Sequence, residues 1–228
     1  MRTLLDGLGF PESPRWHDDR LWFCNWGTQE IVALDAAGNA EVMAHVPTTL
    51  PYSIDWLPDG RLLVVSGQEA LLLREDADGS LVPHADLSEF APVFNEIVVD
   101  ERGTAFVNGT NLVAVSPDGT VREVADGLEF GNGMALTPDG RTLIVAESHG
   151  RRLSAFDVGA DSSLTSRRVW ADCDGGSPDG ICLDDTGAAW YADVPNRRCV
   201  RVREGGAVLD VVEVDRGCFA CMLGGPDG

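Results

Sequence analysis

Hydrophobic residues occur in short runs that alternate with polar residues and stop at turn signals rich in Gly, Pro and Asp. This alternation predicts β-strands, and almost no stretch keeps the 3.6-residue period over the ten or more residues that a helix needs. Strand-turn-strand segments recur, as in SIDWLPDGRLLVVS (53–66) and GMALTPDGRTLIVAES (133–148). Their turns recur about every forty residues, which indicates a repeat protein. The reference positions at these turns are Arg20, Gly60, Gly103, Gly140, Gly187 and Gly228.

Each complete repeat also contains a second hairpin, such as IVALDAAGNAEVMAHV (31–46) in the first. Four strands in about forty residues are typical of a β-propeller blade. We therefore predict an all-β, six-bladed β-propeller of four-stranded antiparallel blades, forming a single domain over residues 1–228.

Five of the predicted blades are complete, and the sixth is expected to be incomplete at the C-terminus. It begins at about Gly217 and contributes only its first hairpin strand before the turn Pro226-Asp227-Gly228. TLLDGL (3–8) is a candidate outer strand for the same blade. The chain is expected to be truncated relative to a closed ring, with apolar faces and strand edges exposed.

One turn signal is out of place, because Pro178-Asp179-Gly180 opens the apolar run ICL (181–183) instead of closing a strand. Counting back eight residues from each reference position gives Asp179 and its equivalents in the other repeats. The first strand of a blade is the innermost, so these positions form a ring at one mouth of the channel. Four of the six carry an oxygen donor that suits a hard cation. The ring is Glu12, Tyr52, Asn95, Asn132, Asp179 and Ala220.

Glu12 and Asp179 would repel each other inside such a ring, and no Lys or Arg occupies the ring to neutralise them. Asp and Asn also begin strands by capping local backbone amides, but capping does not explain four such residues in one register. We therefore predict that the ring binds one divalent cation.

The net charge of −20 excludes nucleic acid as a partner and disfavours anionic membranes, while it is compatible with a bound cation. No apolar run approaches the roughly 18 residues of a membrane span. The first ten residues lack a signal-peptide pattern, so we expect a cytoplasmic protein. The oligomeric state stays open.

Several other residues are interpreted without a function. The six cysteines are expected to be buried thiols, and CFAC (218–221) is not expected to bind zinc, because a strand would point its two cysteines to opposite faces. His149 is interpreted as a surface-loop residue. Glu147 and Asp193 are interpreted as solvated or turn-capping.

Four segments resemble the senescence-marker protein/gluconolactonase/luciferin-regenerating-enzyme (regucalcin-like) family, and the likeness runs through the whole chain. They are FPESPRW (10–16), GNGMALTPDGRTLIVAES (131–148), SPDGICLDDTGAAW (177–190) and CFACMLGGPDG (218–228).

The resemblance implies a six-bladed propeller that holds one divalent metal on Glu12, Asn132 and Asp179. It also implies that Asn95-Glu96 contacts substrate and that Asp179 is the general base. Tyr52 is a candidate wall of the substrate pocket.

The predicted function is a metal-dependent lactonase that hydrolyses a sugar or aliphatic lactone to the hydroxy acid. The expected cofactor is one divalent ion, with Ca²⁺ as first choice and Zn²⁺, Mg²⁺, Mn²⁺ or Fe²⁺ as alternatives. A non-catalytic calcium-binding or scaffold propeller is an alternative function. A strictosidine-synthase-like propeller is another, although it lacks the Glu-Asn-Asp set.

Overall fold

The computed structural model describes residues 2–225, which form twenty β-strands and no helix. Accordingly, no helix among these residues could cross a membrane. The strands build five four-stranded antiparallel sheets, called blades 1–5 below, and each blade consists of four consecutive strands. The all-β repeat of hairpins therefore agrees with the alternating sequence pattern.

The strands follow chain order within each blade. Blade 1 contains β1 (Pro11–His17), β2 (Arg20–Asn25), β3 (Glu30–Leu34) and β4 (Ala40–His45). Blade 2 contains β5 (Tyr52–Trp56), β6 (Leu62–Ser66), β7 (Leu71–Glu75) and β8 (Leu81–Asp86). Blade 3 contains β9 (Phe94–Val99), β10 (Ala105–Gly109), β11 (Leu112–Val115) and β12 (Val121–Ala125). Blade 4 contains β13 (Gly131–Leu136), β14 (Thr142–Glu147), β15 (Arg152–Val158) and β16 (Leu164–Asp172). Blade 5 contains β17 (Pro178–Leu183), β18 (Ala189–Asp193), β19 (Arg198–Val202) and β20 (Val208–Glu213).

The first strand of each blade is the inner one. β1, β5, β9, β13 and β17 contact one another in succession, whereas the fourth strands lie at the outer edge of each sheet, where β20 is exposed at every residue. The inner strands therefore surround a common axis, which is the arrangement of a β-propeller.

The apolar core lies between neighbouring blades. Val65 of blade 2 packs in one cluster with Val107 of blade 3, and Ile144 of blade 4 packs in another with Tyr191 of blade 5. Burying a side chain of this size stabilises the fold by about 1.5–3 kcal/mol. Stacking between blades therefore fixes where the inner strands begin relative to one another.

The prediction of six blades is wrong, because residues 2–225 form five four-stranded sheets and no part of a sixth. Residues 218–223, expected to be the first strand of that blade, find no partner strand in the described chain. They run beside β17, where the Gly180 N–H donates to the Phe219 carbonyl (2.8 Å). The expected turn at 226–228 lies outside the described residues.

The N-terminal segment 3–8 is not the outer strand that we expected. It makes side-chain contacts instead, since Leu5 and Leu8 pack on the cluster that contains Phe23 and Val32 of blade 1. Leu5 and Leu8 are therefore explained by packing and not by strand pairing.

The cysteines fall into two groups. Cys24, Cys173 and Cys182 are buried free thiols, as expected, whereas the three C-terminal cysteines are partly exposed. The CFAC segment is not in a strand, so the opposite-face argument does not apply to it. Cys218 Sγ lies 3.0 Å from Cys199 Sγ of β19, which brings the segment against blade 5.

Candidate metal and substrate site

The starts of the inner strands surround one cavity of about 550 Å³. Glu12 of β1, Asn132 of β13 and Asp179 of β17 all line it, although they are far apart in the sequence. The Asn95-Glu96 pair of β9 lines it as well. The structure therefore brings five of the six predicted site residues to a single cavity.

A β-bulge places the acidic side chain of β17 at this cavity. Pro178 pairs with Asp193, but the next registered pair is Ile181 with Tyr191, so one extra residue lies between them on the inner strand. β9 and β13 have the same shift at Asn95 and Asn132, whereas the shift in β1 follows Glu12, which still pairs with Cys24. Because a bulge bends its strand and redirects a side chain, it sets the direction of Asp179, Asn95 and Asn132.

A glycine follows both Asn132 and Asp179 because the backbones come very close there. A Cβ on Gly133 would lie 2.6 Å from the carbonyl oxygen of Asp179. A Cβ on Gly180 would lie 2.8 Å from the Cα of Ala220. Both distances are shorter than real Cβ contacts, so glycine is required. This close approach explains why a Pro-Asp-Gly sequence opens a strand at this point.

The structure does not place Tyr52 in the cavity wall. β5 pairs with β6 in unbroken register and has no bulge, so counting eight residues ends one position too early. One residue along a strand turns the side chain to the other face. Tyr52 is fully buried and its hydroxyl donates to the Asn25 carbonyl (2.7 Å). The residue of blade 2 that lines the cavity is Ser53.

A chain of hydrogen bonds orients Asn132. Asn95 Nδ2 donates to Asn132 Oδ1 (3.0 Å), and Asn132 Nδ2 donates to Ser148 Oγ (3.4 Å). Ser148 Oγ in turn donates to the Pro178 carbonyl (2.7 Å). These contacts connect the inner strands of blades 3, 4 and 5 and hold the carboxamide in one orientation.

The two candidate carboxylate ligands lack a positive partner. Burial raises the pKa of Glu12 to about 8, and the charges of Asp179 and Glu96 add to this shift. Burial also raises the pKa of Asp179 to about 7; Glu96 adds to it, and a hydrogen bond from Asn132 opposes it. None of the described residues that line the cavity is Arg or Lys. A cation at this position would relieve the repulsion.

Sequence reasoning missed Arg15, which lies in β1 just beyond the bulge. Its guanidinium binds the Glu96 carboxylate (2.9 Å), and Ser13 Oγ donates to the same carboxylate (3.2 Å). An arginine therefore neutralises Glu96, the acid next to the ring residue Asn95. It leaves Glu12 and Asp179 without a counter-charge. The sequence offers no signal for this pair, because its partners are 81 residues apart.

The sequence matches the family described as SMP-30/Gluconolactonase/LRE-like region over residues 10–228. The chain belongs to this family. The resemblance carried by the four sequence segments is therefore confirmed, and the match spans all of the predicted site residues.

Two relatives of this SMP-30/gluconolactonase member and one solved structure show how far the similarity extends. Pentonolactonase XacC of Haloferax volcanii is 25% identical over 89% of this chain and 80% of its own length. Regucalcin of Xenopus laevis is 25% identical over 95% of this chain and 79% of its own length. The solved structure of the gluconolactonase XC5397 from Xanthomonas campestris is 22% identical and gives a TM-score of 0.81, covering 96% of this chain and 81% of that one. This structural likeness shows a shared fold.

In this member of the SMP-30/gluconolactonase family, aromatic side chains form much of the cavity wall. The Phe10 ring stacks on Trp26 (5.4 Å between centroids) and meets Phe219 edge-on (4.9 Å). On blade 4, Phe130 stacks on His149 (4.7 Å). His149 therefore lines the cavity from an exposed turn, so it is a surface-loop residue, as we expected, that also borders the site.

Proposed function

We propose that this chain is a divalent-metal-dependent lactonase that hydrolyses a sugar or aliphatic lactone to the hydroxy acid. The observation that carries the proposal is the convergence of Glu12, Asn132 and Asp179, from three different blades, on one cavity. The family of the chain and its relative named a pentonolactonase support the reaction class.

The residues at this cavity fit a hard divalent cation. Glu12, Asn132 and Asp179 offer oxygen ligands, which Ca²⁺, Mg²⁺ and Mn²⁺ prefer, and Ca²⁺ is our first choice. Both carboxylates line the cavity, no Arg or Lys is among its described lining residues, and a dication offsets their repulsion. Within residues 2–225 no three His, Cys, Asp or Glu side chains converge as a metal centre, so the carboxamide of Asn132 is an essential part of the proposed site.

The cation and the protein residues have separate roles in the reaction. When bound, a divalent cation polarises the ester carbonyl and makes water easier to deprotonate. Asp179 is the general base and takes a proton from the attacking water. The water oxygen adds to the carbonyl carbon, the ring C–O bond breaks, and the released oxygen takes up a proton to give the hydroxy acid.

Asn95 and Glu96 act on the substrate side of the site. Asn95, held against Asn132 at 3.0 Å, orients an oxygen of the lactone. Glu96 is a predicted substrate contact, and its ion pair with Arg15 fixes where its carboxylate lies.

The test is a pH-stat assay of lactone hydrolysis by the metal-stripped protein, with each divalent ion restored in turn. We expect one ion to restore turnover in the parent and in Asp185→Asn, whose aspartate is exposed on a turn. Asp179→Asn should stay inactive with the same ion, because it lacks the base.

Two results would contradict the proposal. If no ion restores hydrolysis of any lactone, while an ion still binds, the chain is a non-catalytic metal-binding propeller. If Asp179→Asn is as fast as the parent, Asp179 is not the base.

A further inference from the structure

We infer that the lactone used by this site carries an alkyl or aryl substituent, which the rim of the cavity binds. The inference rests on the proposed function and names its substrate class.

The polar side chains of the cavity are concentrated at its floor. Those at the floor are Glu12, Ser13, Ser53, Asn95, Glu96, Asn132 and Asp179, all near the starts of inner strands. Exposed fractions of 8% for Glu12 and 1% for Ser53 show how deep this floor lies. The floor has room for the ester group, where the chemistry takes place, and the rim must accommodate the rest of the substrate.

The rim is apolar and open to solvent. Phe10, Leu50 and Phe130 line the cavity, yet 37%, 54% and 55% of their respective surfaces are exposed. Trp26 and Phe219 extend the same surface through their contacts with Phe10. Large apolar side chains kept exposed around a concave site are typical of ligand binding.

The backbone of Phe130 supports a binding role for its ring. Its φ is +62°, in the left-handed region that favours glycine and that a bulky residue rarely adopts. Among the described non-glycine residues with positive φ, it is the one aromatic residue. The ring is also exposed, so core packing does not account for it. A strained, exposed aromatic beside a cavity indicates a functional contact.

A polyhydroxylated lactone does not suit this rim. Above the floor, the polar side chains that line the cavity are Thr110 and His149, and no arginine is among the described lining residues. Hydroxyl groups placed against Phe10, Leu50 or Phe130 would lose their water without gaining a partner. Methylene groups would gain from the same burial.

The experiment compares γ-lactones that carry methyl, propyl and pentyl substituents with D-glucono-δ-lactone, using the protein loaded with its activating ion. We expect kcat/KM to rise about tenfold for each two added methylenes, since each buried methylene is worth about 0.8 kcal/mol. The sugar lactone should be the poorest substrate. No rise with chain length, or preference for the sugar lactone, would overturn the inference and leave the lactonase proposal intact.

A matched pair of variants tests the rim itself. Phe130→Gly removes the ring at a backbone position that glycine adopts freely, so the protein should remain folded. We expect it to lower kcat/KM for the pentyl lactone about tenfold and to flatten the dependence on chain length. Val169→Ser, which removes a 60% exposed apolar side chain from outer strand β16, should leave that dependence unchanged. Equal slopes in Phe130→Gly and the parent would contradict a binding role for the rim.

A binding measurement separates the two proposals. The pentyl γ-lactam is not readily hydrolysed, and its binding can be followed by the fluorescence of Trp26 at the rim. If every lactone resists hydrolysis but the lactam binds the parent more tightly than Phe130→Gly, the proposed reaction fails and the apolar rim is supported. If the lactam does not bind at all, the inference is overturned.

Discussion

Glu147 lies at the same end of the blades as Glu12 and Asp179. Glu147 is surrounded by positive charges and hydrogen-bond donors, whereas Glu12 and Asp179 have no positively charged partner in the described chain. Glu147, at the end of β14, is fully buried and accepts hydrogen bonds from the Glu129 N–H (2.8 Å) and Ser154 Oγ. It also pairs with Arg152 (3.0 Å) and Arg167 (2.9 Å). Burial alone would raise the pKa of Glu147, but these contacts outweigh it and lower the pKa to about 2.

Glu12 is buried and Asp179 is partly buried, and neither has such partners within residues 2–225; their pKa values rise to about 8 and about 7, chiefly because of burial. The comparison shows that burial does not decide what an acid does; its neighbours do. Glu147 has its counter-charge within the protein and stabilises blade 4. Glu12 and Asp179 lack one, which is the property expected of a site that binds a cation.

The largest expected effect comes from Asp179→Asn. We expect kcat/KM to fall about 10²–10⁴-fold, because the amide cannot act as a general base. The melting temperature in chelator should stay unchanged or rise, because a buried acid without a counter-charge is removed. Steady-state kinetics and thermal unfolding check both parts. If Asp179→Asn had a lower melting temperature and normal activity, Asp179 would stabilise the fold and would not be the general base.

Glu147→Gln should have the opposite result. We expect a loss of roughly 2–4 kcal/mol in the free energy of unfolding, because charged hydrogen bonds to a buried group are lost. Arg167 also loses its carboxylate partner, whereas Arg152 keeps its ion pair with Glu129 (2.9 Å). The activity of the folded fraction should not change. Urea unfolding measures the loss, and Glu213→Gln, on the exposed strand β20, is the control. A change of less than about 0.5 kcal/mol would refute the stabilising role of Glu147.

The stability contribution of Glu147 should depend on pH. Its pKa is about 2 in the folded protein against an ordinary 4.5, so the contribution is complete above pH 4.5 and is lost as the pH falls toward 2. We expect the difference in unfolding free energy between the parent and Glu147→Gln to shrink by roughly 2–3 kcal/mol over this range. Urea unfolding at several pH values measures it, and a constant difference would contradict the account.

Tyr52→Phe should give the smallest effect. Losing the hydrogen bond to the Asn25 carbonyl should cost about 1 kcal/mol of stability, and kcat/KM should not change because the side chain faces away from the cavity. If kcat/KM fell while the stability did not change, Tyr52 would be a substrate-site residue after all.

The repeat of turn glycines predicted the strands and their grouping in fours, because each hairpin is a local structure. It could not predict the number of blades. Residues 218–223 have the pattern of a strand, but they would need a partner strand to form a sixth blade, and the described residues do not supply one. The oxygen donors Glu12, Asn132 and Asp179 were predictable because they share one register. Tyr52 was misplaced because the absence of a bulge in β5 leaves no mark in the sequence.

Residues that act through distant partners could not be predicted. Interpreting Glu147 and Asp193 as solvated was wrong, because both are fully buried. Asp193 does cap a turn, since it accepts from the Ser177 N–H (3.1 Å), and it pairs with Arg198 (2.9 Å). The rim residue Phe130 was also missed, because the cavity wall is built from segments between strands that have no periodic pattern.

The central claim is that Glu12, Asn132 and Asp179 share one divalent ion. Calorimetric titration of Ca²⁺ into the metal-stripped protein tests it most directly, with Glu12→Gln and Glu147→Gln titrated in parallel. The account predicts one equivalent bound by the parent and by Glu147→Gln, and at least tenfold weaker binding by Glu12→Gln. Equal binding by the parent and Glu12→Gln, or no binding of Ca²⁺ or any other divalent ion by the parent, would contradict it.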